Sequence, residues 1–430
     1  MTIDSVTNNY LCSSCGACSV ACPVDAITFI ESSGGYLFPR INSDACTQCG
    51  LCFKVCPGKN LMENPSEDQH ENFFVGSVSS AYVGFANNEL IHQNGQSGGI
   101  VTALLDYLIQ TENVRYVVVS IMREGIPPRG ESLVVTDSHT LIVSQKSKYT
   151  PIPLLATLKE IPNDEHVIAI VGLPCHMQGL QNLQNMIPSW QKRKIIKIGL
   201  VCQKVMTTGG IDYMIHQSGI KNVVDLIFRD TGRTGYPGAP IVRDSDNNET
   251  ILPHDAWSSI KEIFTPLRCR LCFDKINVFS DIVCGDPHRI PGAKGKKQSL
   301  VLTRTDIGDA MIEDALDKKI VTLRPVDIKV AVDGQRIREK MEDWHASVFA
   351  WRLKRGNRSF SNCKEWKRIW NIAKKKKLLS LSLKIDSFEN RNDLYNFISV
   401  WLEKEKRKRK NIFFRLYRKI NKVYTILRNL

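Results

Sequence analysis

Cys12-Ser13-Ser14-Cys15-Gly16-Ala17-Cys18-Ser19-Val20-Ala21-Cys22-Pro23 returns further along the chain as Cys46-Thr47-Gln48-Cys49-Gly50-Leu51-Cys52-Phe53-Lys54-Val55-Cys56-Pro57. Three closely spaced thiolates can each face one iron of a single cubane. The fourth, after a longer step and ahead of proline, points away to the other cluster of a pair. This assigns Cys12, Cys15, Cys18 and Cys56 to one [4Fe–4S] cluster, and Cys46, Cys49, Cys52 and Cys22 to a second. A zinc site is satisfied by two Cys-x-x-Cys pairs and gives no reason for a third cysteine and a proline in each half. Gly16 and Gly50 are expected where the loop passes close to the cluster sulfides.

Outward from this repeat, the 430-residue chain is long enough for two or three domains, with 43% hydrophobic and 24% charged residues. No stretch approaches the ~20 consecutive apolar residues of a membrane span. The N-terminus carries neither a basic n-region nor an apolar h-region, so a cytoplasmic location is expected. The 14 cysteines therefore read as metal ligands rather than as a disulfide framework. The net charge of +14 is uneven, since residues 341–430 hold 24 Lys and Arg against 8 Asp and Glu. The remainder of the chain is close to neutral, and the basic charge belongs to a tail.

A polar stretch after residue 60 reads as a linker. From about residue 80, apolar β-branched runs at 114–122, 166–173, 194–202 and 222–230 suit strands buried on both faces. The expected architecture is an α+β ferredoxin-like module over 1–64, an α/β body with a mixed, largely parallel sheet over 78–160 and 161–340, and a basic helical tail over 341–430. In open α/β sheets ligands bind outside the carboxyl ends of strands. Four strand ends carry reactive groups there: Pro174-Cys175, Val201-Cys202, Arg229-Asp230 and Cys284-Gly285-Asp286. With the Cys269-Arg270-Leu271-Cys272 pair, Cys175 and Cys202 complete four thiolates for a third [4Fe–4S] cluster, with Cys284 as the reserve ligand. Cys363 reads as an ordinary thiol. The Gln96-Ser97-Gly98-Gly99 turn runs into an apolar helical pattern, a helix start suited to a phosphate or an electron-rich ring edge. Taken alone, Ser-Gly-Gly is more often just a cap, and the Ser147-Lys148-Tyr149 island is uninformative by itself.

The motifs GQSGGIVTALL, SKY, VGLPCHMQGL, GLVCQ, FRD and RCRLCFDKINVFSDIVCGDP, in this order, resemble the beta-subunit family of deazaflavin (coenzyme F420) hydrogenases and dehydrogenases over roughly residues 80–340. The family also includes 7-hydroxymethyl chlorophyll a reductase and bacterial members of unassigned substrate near polysaccharide synthesis. The resemblance implies a flavoprotein with FAD beside a [4Fe–4S] cluster. It carries over Ser97, Gly98, Gly99, Thr102, Ser147, Lys148 and Asp286 as flavin contacts, and Cys175, Cys202, Cys269 and Cys272 as cluster ligands. Cys284 stands where the family commonly has an apolar residue.

Two functions from different classes follow. The first is an FAD- and iron–sulfur-dependent oxidoreductase acting on a small organic substrate, with His176 and Lys148 as candidate proton donors and a soluble ferredoxin as redox partner. The second is an electron-transfer subunit without substrate chemistry, docked to a partner subunit of a larger complex. In the tail, Phe413, Leu416, Tyr417, Ile420, Tyr424 and Leu427 share one helical face beside a polybasic segment. That pattern suits either an anionic membrane surface or packing on protein. It holds no groove-reading module, which places nucleic acid below both.

Overall fold

The computed structural model describes residues 1–59, 71–355, 369–405 and 407–408. Cys363 and the amphipathic segment 413–427 lie outside the described residues. Among the described residues no helix is long and apolar enough to cross a membrane.

The cysteine repeat folds around one antiparallel hairpin, β1 (Ile27–Glu31) and β2 (Leu37–Ile41). Ser14 and Gln48, and Gly16 and Gly50, all have positive φ, so the two halves turn alike. The glycine requirement at position 16 has a source within the protein itself. A Cβ on Gly16 would lie 2.5 Å from Ala156 N and 2.7 Å from Pro153 O, so it is the body of the protein that crowds this loop.

The body is an eight-stranded sheet in the order β13-β3-β12-β11-β7-β6-β4-β5. Its strands are β3 (Ser80–Ala86), β4 (Tyr116–Arg123), β5 (Arg129–Val135), β6 (Ile168–Gly172), β7 (Ile195–Leu200), β11 (Ile282–Gly285), β12 (Ser299–Thr303) and β13 (Val321–Pro325). The apolar runs at 114–122, 166–173 and 194–202 supply the parallel neighbours β4, β6 and β7, and β11 extends them. The remaining pairings, β4–β5, β11–β12, β12–β3 and β3–β13, are antiparallel. The expectation of a largely parallel sheet is corrected accordingly: only the four central strands pair in parallel with one another, and four of the seven pairings are antiparallel.

The run at 222–230 is also re-placed. It forms β8 (Val223–Asp230), which pairs with β9 (Ala239–Asp244) and β10 (Glu249–Ile251) in a separate antiparallel sheet. A strand dense in Val, Leu, Ile and Phe looks the same in either sheet. Its own sequence does not disclose its antiparallel neighbours.

Period-two alternation sorts the sheet faces. Val117, Val119 and Ala169 pack toward helices α1 (Ile100–Gln110) and α4 (Asp306–Asp317). Val118, Ile168 and Ile170 face the opposite way, onto Leu154, Leu155 and helix α2 (Pro174–Met186), and the same cluster takes in Cys15, Ala17, Ala21 and Val55 of the cysteine repeat. The N-terminal module thus shares the body's core, each fully buried Leu there contributing about 2 kcal/mol. Hydrogen bonds to the backbone seal the seam: Leu155 N donates to Cys15 O at 3.0 Å, and Asn182 Nδ2 donates to Val55 O at 3.0 Å.

A second seam holds the β1–β2 turn. A Cβ on Gly35 (φ +78°) would stand 2.0 Å from the backbone N of Gly209, in helix α3 (Thr208–Ser218). Thr207 Oγ1 and Thr208 Oγ1 donate to Gly34 O and Gly35 O at 2.7 and 3.0 Å. Asp386, after the helix Ile369–Lys384, accepts from Tyr10 Oη at 2.8 Å, from Gly34 N at 2.9 Å and from Ser32 Oγ. The middle of the expected tail is therefore a strap across the N-terminal module.

Candidate functional site

The expected ligand sets come together as two cradles in the repeat. Burial raises the Cys12 thiol, and the nearest further charges acting on it are those of Cys56 and Cys15. Cys18 is raised by burial and then by Cys12, Cys15 and Cys56, with Cys52 of the other cradle after them. Burial pushes Cys56 up to about 12, with Cys15 next among the causes. Cys52 instead feels Cys49 and Cys22 after its own burial. Cys56 thus lies beside Cys12 and Cys15, and Cys22 beside Cys52, the neighbours that the crossed spacing calls for. Backbone N–H groups are aimed at the sulfurs: Ser14 N at Cys12 and Gly58 N at Cys56, both at 3.3 Å, and Ala26 N at Cys22 and Gln48 N at Cys46, at 3.3 and 3.4 Å. Such bonds stabilise the thiolate charge a cluster requires. The inner cradle is buried, whereas the outer one opens to the surface at Cys49.

A third quartet lines one cavity of the body. Cys175 sits at the start of α2, Cys202 follows β7, and Cys269 and Cys272 flank a tight turn. Burial raises Cys175, followed by the charges of Cys15, Cys202, Cys269 and Cys272. Cys15 belongs to the inner cradle, so the third quartet adjoins it. A Cβ on Gly179, one turn along α2 from Cys175, would stand 3.2 Å from Cys15 Sγ. Cys284 lies apart on β11, among Val301 and Ile198, and its thiol is pushed up to about 12 by burial alone. The structure places Cys175 in the quartet and the reserve candidate outside it. His176 is committed elsewhere: its Nδ1 accepts from Leu173 N and its Nε2 donates to Ile152 O, both at 3.1 Å. Desolvation lowers it to about 4, so it is a neutral structural side chain at neutral pH.

The residues expected to touch a flavin divide. Ser97 Oγ donates to Asp286 Oδ1 at 2.5 Å, and Arg229 Nη1 reaches Asp286 Oδ2 at 3.3 Å and Tyr149 Oη at 3.0 Å. These four form one polar cluster beyond the carboxyl end of β11, with Arg229 reaching across from the second sheet. Both polar atoms of the neighbouring Gln96 amide are buried without a hydrogen-bond partner. Packing by itself also requires glycine at Gly98 and Gly99. A Cβ on Gly98 would lie 2.4 Å from Gly84 O, and Gly99 takes φ +76° at the start of α1. Thr102 is buried inside the first turns of that helix. Ser147 and Lys148 occupy the loop before Tyr149, where the Lys148 ammonium bonds Gln145 O at 2.7 Å and also Ser144 O. Lys146 and Arg233, which belong to no recognisable motif, both pair with Asp230, at 3.1 and 3.0 Å.

Desolvation, then the charge of Lys146, lowers Lys148 to about 7. Between that value and the unfolded value near ~10.4 the unfolded chain binds more protons, so stability rises with pH across this window. Relative to Lys148→Met, wild type gains up to about 1.4 kcal/mol per pH unit from pH 7 to 10. Paired thermal melts at pH 7 and pH 9 check this; curves that shift in parallel contradict it.

The amino-terminal family model of the coenzyme F420 hydrogenase/dehydrogenase beta subunit matches residues 81–159, and the carboxy-terminal model of the same beta subunit matches 166–329. The chain belongs to this family. Residues 11–60 match a 4Fe-4S dicluster domain. Among relatives, the F subunit of the F(420)H(2) dehydrogenase of Methanosarcina mazei is 25% identical over 333 residues, 74% of this chain and 85% of that protein. The beta subunit of the coenzyme F420 hydrogenase of Methanothermobacter thermautotrophicus is 24% identical over 243 residues, 55% of this chain and 81% of that one. The coenzyme F420-dependent sulfite reductase of Methanocaldococcus jannaschii is 30% identical over 182 residues, 42% of this chain, which spans only 26% of that protein.

These findings correct one expectation. The family is described by its beta subunits, and two relatives matched over most of their length are named as subunits of a dehydrogenase and a hydrogenase. The reading of this family member as an FAD-dependent enzyme in its own right is overturned. FAD, which the resemblance alone implied, gains no support from them, while the iron–sulfur assignment does.

Proposed function

We propose that the chain is an electron-transfer subunit of a larger redox complex, carrying single electrons between its surface and the polar cluster at the end of β11. The observation that carries this is the adjacency of Cys15 to Cys175. It makes the outer cradle, the inner cradle and the third quartet one continuous series. Four thiols of one quartet, held apart from any disulfide, fit a [4Fe–4S] cluster. When bound, each such cluster stores or releases one electron without a proton.

The chain's own residues do the rest. Cys46, Cys49, Cys52 and Cys22 would hold the centre nearest solvent, where a soluble ferredoxin or a partner subunit meets it. Cys12, Cys15, Cys18 and Cys56 exclude water from the second. Cys175, Cys202, Cys269 and Cys272 would hold the third, and the Tyr149–Ile152 segment leads from it to Arg229 and Asp286. There the unpartnered Gln96 amide, beside Ser97, Tyr149 and the Arg229–Asp286 pair, favours a polar redox group able to hydrogen-bond. The deazaflavin coenzyme named in the relatives is of this class. Stepwise reduction of the anaerobic chain tests the reading. It should take up about three electrons per chain, one for each cluster; an endpoint at two removes the third centre.

A further inference from the structure

Arg268 is 3% exposed, yet every acceptor it meets is a neutral oxygen. Nη2 donates to Pro57 O and to Gln178 Oε1, and Nη1 donates to Leu271 O, all at a long 3.4 Å. Its Nε is buried with no partner at all. A guanidinium keeps its charge in proteins, and burying a cation without an anion is costly. Asp274 lines the same cavity but accepts from Val278 N and makes no bond to Arg268, so a further negative charge must stand near the guanidinium.

The positions of those three oxygens show what that is. Pro57 directly follows Cys56, the ligand that crosses into the inner cradle. Leu271 directly precedes Cys272, and Arg268 itself precedes Cys269. Gln178 lies one turn along α2 from Cys175. The side chain also lines the cavity of the third quartet. The charges acting on Cys12, Cys15 and Cys56 on one side, and on Cys269 on the other, include Arg268 in each case.

We propose that Arg268 is the shared countercharge of the inner ferredoxin-type centre and the third centre, lying between them and holding both potentials up. The proposal rests on the reading of the third quartet as a cluster. Reducing a four-thiolate cluster adds one electron and no proton, hence one uncompensated negative charge. A fixed cation nearby favours the reduced form and raises the potential. Because the guanidinium serves both centres, an electron leaving one for the other stays beside the same cation. The transfer then costs little in lost charge stabilisation. Arg268 is a positioning residue in this scheme and ligates nothing. Lys340, also buried, acts on Cys202 and Cys269 and so provides a one-sided comparison.

The test is a redox titration of the anaerobic full chain followed by electron paramagnetic resonance, with iron counted on the same samples. Arg268→Gln should lower the potentials of the inner and third centres and leave the outer one in place, and Arg268→Lys should restore most of the shift. Lys340→Met should lower the third centre alone. Should Arg268→Gln fail to load, Gln178→Glu decides. It keeps the arginine but sets a carboxylate where Gln178 Oε1 stands, 3.4 Å from Nη2, and should lower the same two potentials. Wild-type values in a loaded Arg268→Gln or Gln178→Glu chain, or a shift confined to one centre, overturn the proposal. About eight irons in wild type would instead remove the third centre itself.

Discussion

Serine in place of Cys269 should leave the purified chain with about eight irons where wild type holds about twelve. It should also cut the electrons taken up in reduction from about three to about two. Cys269 is one of four thiols lining a single cavity, and a serine oxygen at neutral pH is a far poorer ligand for iron than a thiolate. Cys284→Ser is the matched control. Its thiol packs in the apolar cluster of β11 and feels no other cysteine, so iron content should not change. The family motif around Gly285-Asp286 places Cys284 close to the chemistry, but strand alternation turns it to the other face. Anaerobic iron analysis of the three proteins decides between the two assignments.

Gly35→Ala should undock the N-terminal module. The new methyl would sit 2.0 Å from Gly209 N, backbone against backbone, at a residue with φ +78°. Overpacking costs about 1–3 kcal/mol and the left-handed conformation about 1–2 more, roughly 3 kcal/mol together. The seam it breaks also carries the Thr207 and Thr208 bonds and the Asp386 strap, so the loss reaches the whole hairpin. Gly219→Ala separates the two terms. That residue has φ +71° but nothing within 4 Å of a Cβ, so only the conformational cost of about 1–2 kcal/mol applies. Thermal loss of iron–sulfur absorbance should come at clearly lower temperature in Gly35→Ala than in Gly219→Ala. Equal melting of the two variants would contradict the docking account.

What the sequence discloses depends on how local the determinant is. The cluster pairing is read from spacing alone, because cysteines three and four residues apart constrain their own geometry. The strands Tyr116–Arg123, Ile168–Gly172 and Ile195–Leu200 are legible as apolar runs. Sheet membership is not, since Val223–Asp230 carries the same run into a second sheet and only its partners β9 and β10 reveal it. Gly16 and Gly98 stand out in the sequence as constrained positions, but their motifs point to cofactors as the cause. The backbone of Pro153–Ala156 and of Gly84, from stretches distant in the sequence, also crowds them. Arg229 is visible at a strand end, while Lys146 and Arg233 are not. Charged side chains in loops acquire meaning only when a tertiary partner such as Asp230 is in place.

The proposed role depends on three cradles forming one series from the surface toward the polar cluster of the body. Electron paramagnetic resonance of the fully reduced, anaerobic full chain tests it most directly. About three spins per chain are expected, with the inner centre magnetically coupled to both its neighbours. The coupling between the inner and third centres should vanish in Cys269→Ser, while the coupling within the dicluster module persists. Two spins per chain, or a third that relaxes independently of the inner centre, would contradict the account.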